Sequence, residues 1–167
     1  MEELWAPARG FLERLLAVRL RHPFLIRLCN ADEFAKAYGK DPRVADGRRV
    51  IGFFQSIGDD YAIVVESGRS RENVLETLIH EFGHALVRTY GFTLSREESE
   101  GFSRWLEYRY LMVHGGDAQA GRLLDDPSVY GTGLRLMLER ERSLGHRLTF
   151  RKLLRRESGS EDGPGAE

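Results

Sequence analysis

The spacing of apolar and polar positions predicts two strands and several helices along the chain. Two stretches rich in Val, Ile, Phe and Tyr, Arg49–Ser56 and Tyr61–Glu66, predict the strands of a hairpin. Gly-Asp-Asp before the second strand and Ser-Gly after it are turn sequences, so we expect Tyr61–Glu66 at the exposed edge of the sheet. Apolar residues at helical spacing are also present in residues 2–20 and in Ala31–Tyr38.

A helix of about residues 71–90 is predicted to follow this hairpin. Ser70 is a suitable N-cap, and Gly91 is a suitable end. At about 100° per residue, the apolar side chains cluster on one arc, and His80 and His84 lie nearly opposite. The residues of the apolar arc are Leu75, Leu78, Ile79, Phe82 and Leu86. The helix therefore has one face for a core and another on which two imidazoles meet.

The rest of the chain is predicted to be helical and to form a single domain, 1–156, with the first part. Ser95 and Glu98 have the spacing of a capping box at the start of the next helix. Helices are predicted at about 96–114, 131–143 and 150–155, with a loop at 115–129. The tail 157–167 is polar and rich in Gly, so we expect it to be disordered.

Composition and charge narrow the class of protein. The 25 basic and 26 acidic residues nearly cancel, so no nucleic-acid or membrane partner is expected. No stretch reaches the roughly 18 uncharged apolar residues of a membrane span, and charged residues interrupt the N-terminal apolar positions, so no signal peptide is predicted. The single Cys29 cannot form an internal disulfide. We therefore expect a cytoplasmic protein, and the oligomeric state is not predicted.

The stretch L-I-H-E-F-G-H-A-L-V places two of the five histidines one helical turn apart, with a glutamate between them. This spacing brings the imidazoles of His80 and His84 close enough to bind one Zn²⁺. Glu81 is then adjacent to the metal but directed elsewhere, where a carboxylate can take a proton from a metal-activated water. The alternative is a polar helix face whose histidines are only solvated or hydrogen-bonded.

A two-histidine site needs a third protein ligand, and carboxylates follow in the next helix. Glu100 lies 15 residues after His84, a distance that suits a helix-turn-helix folding its carboxylate back over the imidazoles. Glu98 already has a capping role, and Glu97 remains a competitor. Acidic residues at a helix start also serve the helix dipole, which is the structural alternative for each of the three.

The pair H-E-F-G-H and E-G-F-S is similar to the zinc motifs of the gluzincin metallopeptidases, in particular the large aminopeptidases whose second motif reads N-E-G-F-A. The resemblance covers about residues 60–155. It implies an α+β, zincin-like fold with a small, mostly antiparallel sheet packed on an active-site helix and a helical C-terminal half. It also implies that His80, His84 and Glu100 bind one Zn²⁺ and that Glu81 is the general base and acid.

The run V-Y-G-T-G-L-R-L-M-L (129–138) resembles the segment of those enzymes in which a Tyr opens a helix and stabilises the transition-state oxyanion. Carried across, Tyr130 has that role; otherwise an aromatic residue at this position is a packing residue. Together with the E-G pair and the compact size, the Tyr130 to Arg135 run looks closer still to the peptidase region of plant LIM-domain growth regulators and their small bacterial relatives.

Two departures from the family patterns restrict what is carried over. The strand Tyr61–Glu66 lacks the G-x-M-E-N motif with which the aminopeptidases hold a free N-terminus, so exopeptidase activity is not transferred. Ser99 precedes Glu100 in place of Asn, and Arg104 stands where thermolysin-type enzymes have an Asp four residues after the ligand. His80 and His84 therefore need other acceptors to fix their tautomers.

The expected function is hydrolysis of peptide bonds in an intracellular protein or peptide by a zinc-dependent endopeptidase. One alternative resembles the peptidases that cleave repressors, although their Ala-x-x-Phe-Ala segment is absent here. Another is a zincin-like domain that binds zinc or a partner without turnover, which has no need of the Glu81 carboxylate. His114 and His146 lie next to Gly at predicted helix ends and are assigned no role in the site.

Overall fold

The protein has an α+β fold in the computed structural model, which describes residues 2–19, 24–42, 49–57, 60–145 and 149–150. The elements in chain order are α1 (Glu2–Leu16), β1 (Phe24–Cys29), α2 (Ala31–Tyr38), β2 (Gly52–Ile57), β3 (Asp60–Glu66), α3 (Arg71–Thr89), α4 (Arg96–Val113), α5 (Asp117–Asp125) and α6 (Val129–Leu144). The α+β class is confirmed. Residues 151–155 of the predicted last helix, and the tail 157–167, lie outside the described residues.

The three strands form a mixed sheet in the order β1-β3-β2. β2 and β3 pair antiparallel as the predicted hairpin, but β1 pairs parallel to β3 along its whole length. The prediction of a mostly antiparallel sheet is therefore wrong, because it lacked the parallel strand β1. The expectation that Tyr61–Glu66 is an exposed edge is wrong for the same reason: β3 is the central strand, and Ala62–Val65 is buried. β2 is the edge next to α3.

The helix predicted at 71–90 is confirmed as α3, and so is the division of its two faces. Ser70 caps it by accepting a hydrogen bond from the Asn73 N–H. All five residues of the predicted apolar arc are buried, and they pack with Ile63 and Val65 of β3 in the main core. α1, α4 and α6 close this core from the other sides. The opposite face of α3 is left for His80 and His84.

The helices of the second half start close to their predicted positions, with one addition. The capping box of Ser95 and Glu98 opens α4, as predicted. The segment predicted as a loop at 115–129 contains α5, a nine-residue helix. In the described part of the chain, no helix is both long and apolar enough to cross a membrane.

Glycines set the distances between the helices that carry the site. A Cβ on Gly83 of α3 would lie 2.4 Å from the Ser103 Oγ of α4. A Cβ on Gly101 of α4 would lie 2.4 Å from the backbone carbonyl of Gly133 in α6. Both distances are far below van der Waals contact, so only glycine permits these crossings. The first crossing brings Glu100 onto the histidine face of α3, and the second brings the start of α6 next to it.

Candidate metal centre

His80, His84 and Glu100 meet where α4 crosses the polar face of α3. The Nε2 atom of His80 lies 3.4 Å from Oε2 of Glu100, and the Nε2 atom of His84 lies 3.3 Å from the same oxygen. The three ligand atoms all lie within 4.8 Å of one another. The structure thus brings together the three residues predicted as metal ligands, and together they could hold a metal ion.

The donor set fits a small divalent cation. Ligands placed tetrahedrally about 2.0–2.1 Å from one ion lie about 3.3–3.4 Å from each other, which is the spacing of each imidazole nitrogen from the carboxylate oxygen. The Oε2 atom of Glu100 is buried and accepts no well-formed hydrogen bond. A buried carboxylate oxygen in that state is costly unless a cation or a donor satisfies it. Two imidazoles and one carboxylate form a ligand set that also suits zinc.

The charges of the cluster favour a cation at its centre. Burial lowers the pKa of His80, but the Glu100 and Glu107 carboxylates outweigh burial and raise it to about 9. Burial alone would raise the pKa of Glu100, but the contacts with His80 and His84 outweigh burial and lower this pKa below its usual range. Without metal, His80 therefore holds a proton at neutral pH, and a bound cation would take the place of that proton.

Glu81 lies beside this centre but is not part of it. Its carboxylate is buried between α3 and β2, where it accepts a hydrogen bond from the backbone N–H of Phe54. Burial raises the pKa of Glu81 above its usual range. Gly52 allows the close approach of the strand, since a Cβ there would lie 2.2 Å from Cγ2 of Thr77 and 3.2 Å from Cγ of Glu81. A carboxylate with a raised pKa next to a possible metal site is suited to accept and return a proton.

Tyr130 faces the same centre from the start of α6. Its ring centroid lies 6.3 Å from that of His80. Ser128 caps α6 by accepting a hydrogen bond from the Tyr130 N–H, which fixes the backbone there. The guanidinium of Arg104 lies over the Tyr130 ring, 5.2 Å from its centroid. The structure thus brings Tyr130 to the site, and its role as an oxyanion donor stays a prediction.

The structure identifies the side chains that face the Nδ1 atoms of the two histidines, which the sequence did not predict. The Nδ1 atom of His84 lies 3.3 Å from Oγ of Ser99, and the Nδ1 atom of His80 lies 3.3 Å from Oε2 of Glu107. The Glu107 contact has the distance of an ion pair but is not aligned as a hydrogen bond. Glu107 is seven residues after Glu100, two turns along the same face of α4, and this spacing was the signal that could have found it.

The other acidic and histidine candidates lie elsewhere. Glu98 is used by the capping box and by an ion pair with Arg140, whose Nη2 is 2.7 Å away. Glu97 is outside the metal-ligand cluster found among the described residues. His114 ends α4, where its Nδ1 lies 2.8 Å from the Tyr110 carbonyl oxygen, in agreement with a structural role. His146 lies outside the described residues.

A cleft of about 460 Å³ opens onto His80, Glu81 and Tyr130. Its walls come from the segment 49–52, α3, α4 and the start of α6. One wall includes Gly52, the first residue of edge strand β2, so an extended chain in the cleft would lie beside the start of this strand. Comparisons of the chain with protein-family models, with curated proteins and with solved structures give no match. Functional inference therefore depends on the site itself.

Proposed function

We propose that the protein is a zinc-dependent endopeptidase that hydrolyses peptide bonds of a protein or peptide substrate. The observation that carries the proposal is the convergence of two imidazole nitrogens on one buried carboxylate oxygen, at the ligand spacing of a tetrahedral ion. His80, His84 and Glu100 are the proposed ligands. When bound there, zinc supplies a Lewis acid and a water whose pKa is lowered toward about 7.

The protein side chains supply the proton transfers. Glu81 takes the proton of the attacking water and returns it to the leaving amine, for which a raised pKa is favourable. Tyr130 donates a hydrogen bond to the oxygen that becomes negative during attack. A domain that only bound zinc would not need a carboxylate buried between the strand edge and the metal face, and this position of Glu81 favours catalysis over binding alone.

Substrate is proposed to bind beside the start of β2, because Tyr61–Glu66, which was expected at the exposed edge, is the central strand of the sheet. The Ile51 carbonyl oxygen accepts a hydrogen bond from the Glu66 N–H, so the next residues alternate between facing β3 and facing away. Gly52 therefore directs its backbone groups away from β3, beside the cleft, whereas the outward N–H groups of Val50 and Phe54 already donate to the Pro42 carbonyl and to Glu81. An extended peptide can form main-chain hydrogen bonds with Gly52. Aminopeptidase activity is not proposed, since the sequence has no G-x-M-E-N segment.

The test is metal content and peptide cleavage measured on the same preparations. The unchanged protein should bind one Zn²⁺ per chain and cleave members of an unbiased peptide library. His84→Ala should lose the metal, and His114→Ala, a histidine replaced outside the site, should keep it. Glu81→Gln should keep zinc and lose about 10²–10⁴-fold in cleavage rate, because only proton transfer is removed. Full activity of zinc-loaded Glu81→Gln, or no zinc uptake by the unchanged protein, would sink the proposal.

A further inference from the structure

Arg104 and Glu107 form a continuous set of contacts between His80 and Tyr130. Nη1 of Arg104 donates to both carboxylate oxygens of Glu107, at 2.9 and 2.8 Å. Oε2 of Glu107 lies 3.3 Å from Nδ1 of His80. The same Arg104 guanidinium also lies over the ring of Tyr130. One ion pair on α4 thus contacts both a proposed metal ligand and the proposed oxyanion donor.

The surroundings of this pair indicate more than helix packing. Glu107 is buried, and the Nε–H of Arg104 is buried without an acceptor. Both residues line the cleft next to His80. The pair thus lies at the border between the helix packing and the cleft, in contact with a proposed metal ligand.

The two proposed histidine ligands differ in what faces their Nδ1 atoms. His84 faces the neutral hydroxyl of Ser99, and His80 faces the charged carboxylate of Glu107. A carboxylate fixes the tautomer and ring orientation of an imidazole and increases its basicity as a ligand. The stronger support is therefore at His80, the histidine that is also near Tyr130.

We propose that Arg104 and Glu107 are a positioning pair. Glu107 holds His80 with Nε2 directed at Glu100, and Arg104 holds both Glu107 and the ring of Tyr130. The inference rests on the proposed function only in that His80 serves as a metal ligand.

The first test measures zinc affinity by competition with a chelator, which needs no catalytic activity. Glu107→Gln keeps the size of the side chain but removes its charge, and we expect a loss of about 10–100-fold. Ser99→Ala should lose less, because the hydroxyl is neutral. In this proposal Arg104 affects zinc binding through Glu107, so the double variant with Arg104→Gln should bind zinc about as well as Glu107→Gln alone. Arg140→Gln is the matched control, since it removes another arginine–glutamate pair, between α6 and Glu98 of α4 and away from the site.

The second test observes the two ends of the contacts by NMR in the zinc-loaded protein. The Nδ1–H of His80 should be protected from exchange and shifted downfield in the unchanged protein, and Glu107→Gln should remove both properties. Arg104→Lys keeps the charge but removes the guanidinium over the Tyr130 ring and the Nη1 donor to Glu107, so it should shift the Tyr130 ring resonances and weaken zinc binding by about 3–10-fold. This variant also serves if Glu107→Gln does not fold.

The outcomes separate the two proposals. If Glu107→Gln binds zinc within twofold of the unchanged protein, the positioning pair is overturned and the peptidase proposal stands. Arg104→Lys is judged in the same way if it is the only variant that folds. If the variants lose zinc affinity as predicted but the zinc-loaded unchanged protein cleaves no peptide, the positioning pair is supported and the peptidase proposal is overturned. No zinc binding by the unchanged protein overturns both.

Discussion

Helix α4 takes part in an ion pair with a buried glutamate on each of two faces, and the two pairs differ in what else they contact. Glu107 and Glu141 are similarly buried, at 5% and 7% exposure. Each is held by an arginine of α4, Arg104 in the first case and Arg109 in the second. Glu141, on α6, also accepts a hydrogen bond from Nε1 of Trp105 at 3.0 Å. Its partners are packing residues, and it does not line the cleft.

The difference shows which observation distinguishes a carboxylate with a role at the site from one with a structural role. Burial and an arginine partner are common to both carboxylates, so neither property indicates a functional role. Glu107 is distinguished because it contacts His80 and lines the cleft. Hence the face of α4 toward α3 is expected to govern metal binding, and the face toward α6 is expected to govern stability.

The largest expected effect is on stability, from Glu141→Ala. The substitution leaves the Trp105 N–H and the Arg109 guanidinium without their acceptor between α4 and α6. Leaving the buried indole N–H and the partly buried guanidinium without their acceptor costs about 2–4 kcal/mol. Denaturant unfolding of the metal-free protein should show this loss, while zinc affinity of the folded fraction stays unchanged. A large drop in zinc affinity with little change in stability would contradict the proposal that the face of α4 toward α6 governs stability rather than metal binding.

Gly101→Ala tests whether the face toward α6 also holds Tyr130 in place. The added Cβ meets the backbone of Gly133, so α6 must move away from α4. Overpacking of this kind costs about 1–3 kcal/mol. Because Tyr130 lies at the start of α6, cleavage should fall more than zinc affinity, since all three proposed ligands lie on α3 and α4. Equal losses of both would show that the crossing supports the metal ligands themselves.

The sequence was sufficient for features that depend on local periodicity. The two faces of α3 follow from the helical repeat, and the spacing from His84 to Glu100 follows from one helix-turn-helix. β1 was missed because F-L-I-R-L-C is a short apolar run with no unambiguous period, and strand order depends on pairing between distant segments. Glu107 was missed because its contact with His80 depends on how closely α3 and α4 cross, a distance set by Gly83.

The smallest expected effect, from Gly121→Ala, calibrates the steric argument at Gly101. Gly121 lies inside α5, and a Cβ there would have nothing within 4 Å, so only the intrinsic preference of the helix for Ala is left. We expect a gain of about 0.5–1 kcal/mol, measured by denaturant unfolding, with unchanged zinc affinity. Gly101→Ala receives the same intrinsic gain, so its steric cost is the measured loss plus the gain at Gly121. If Gly121→Ala destabilised the protein as much as Gly101→Ala, the loss at Gly101 would no longer report the α4–α6 crossing, and the placement of Tyr130 by that crossing would lose its support.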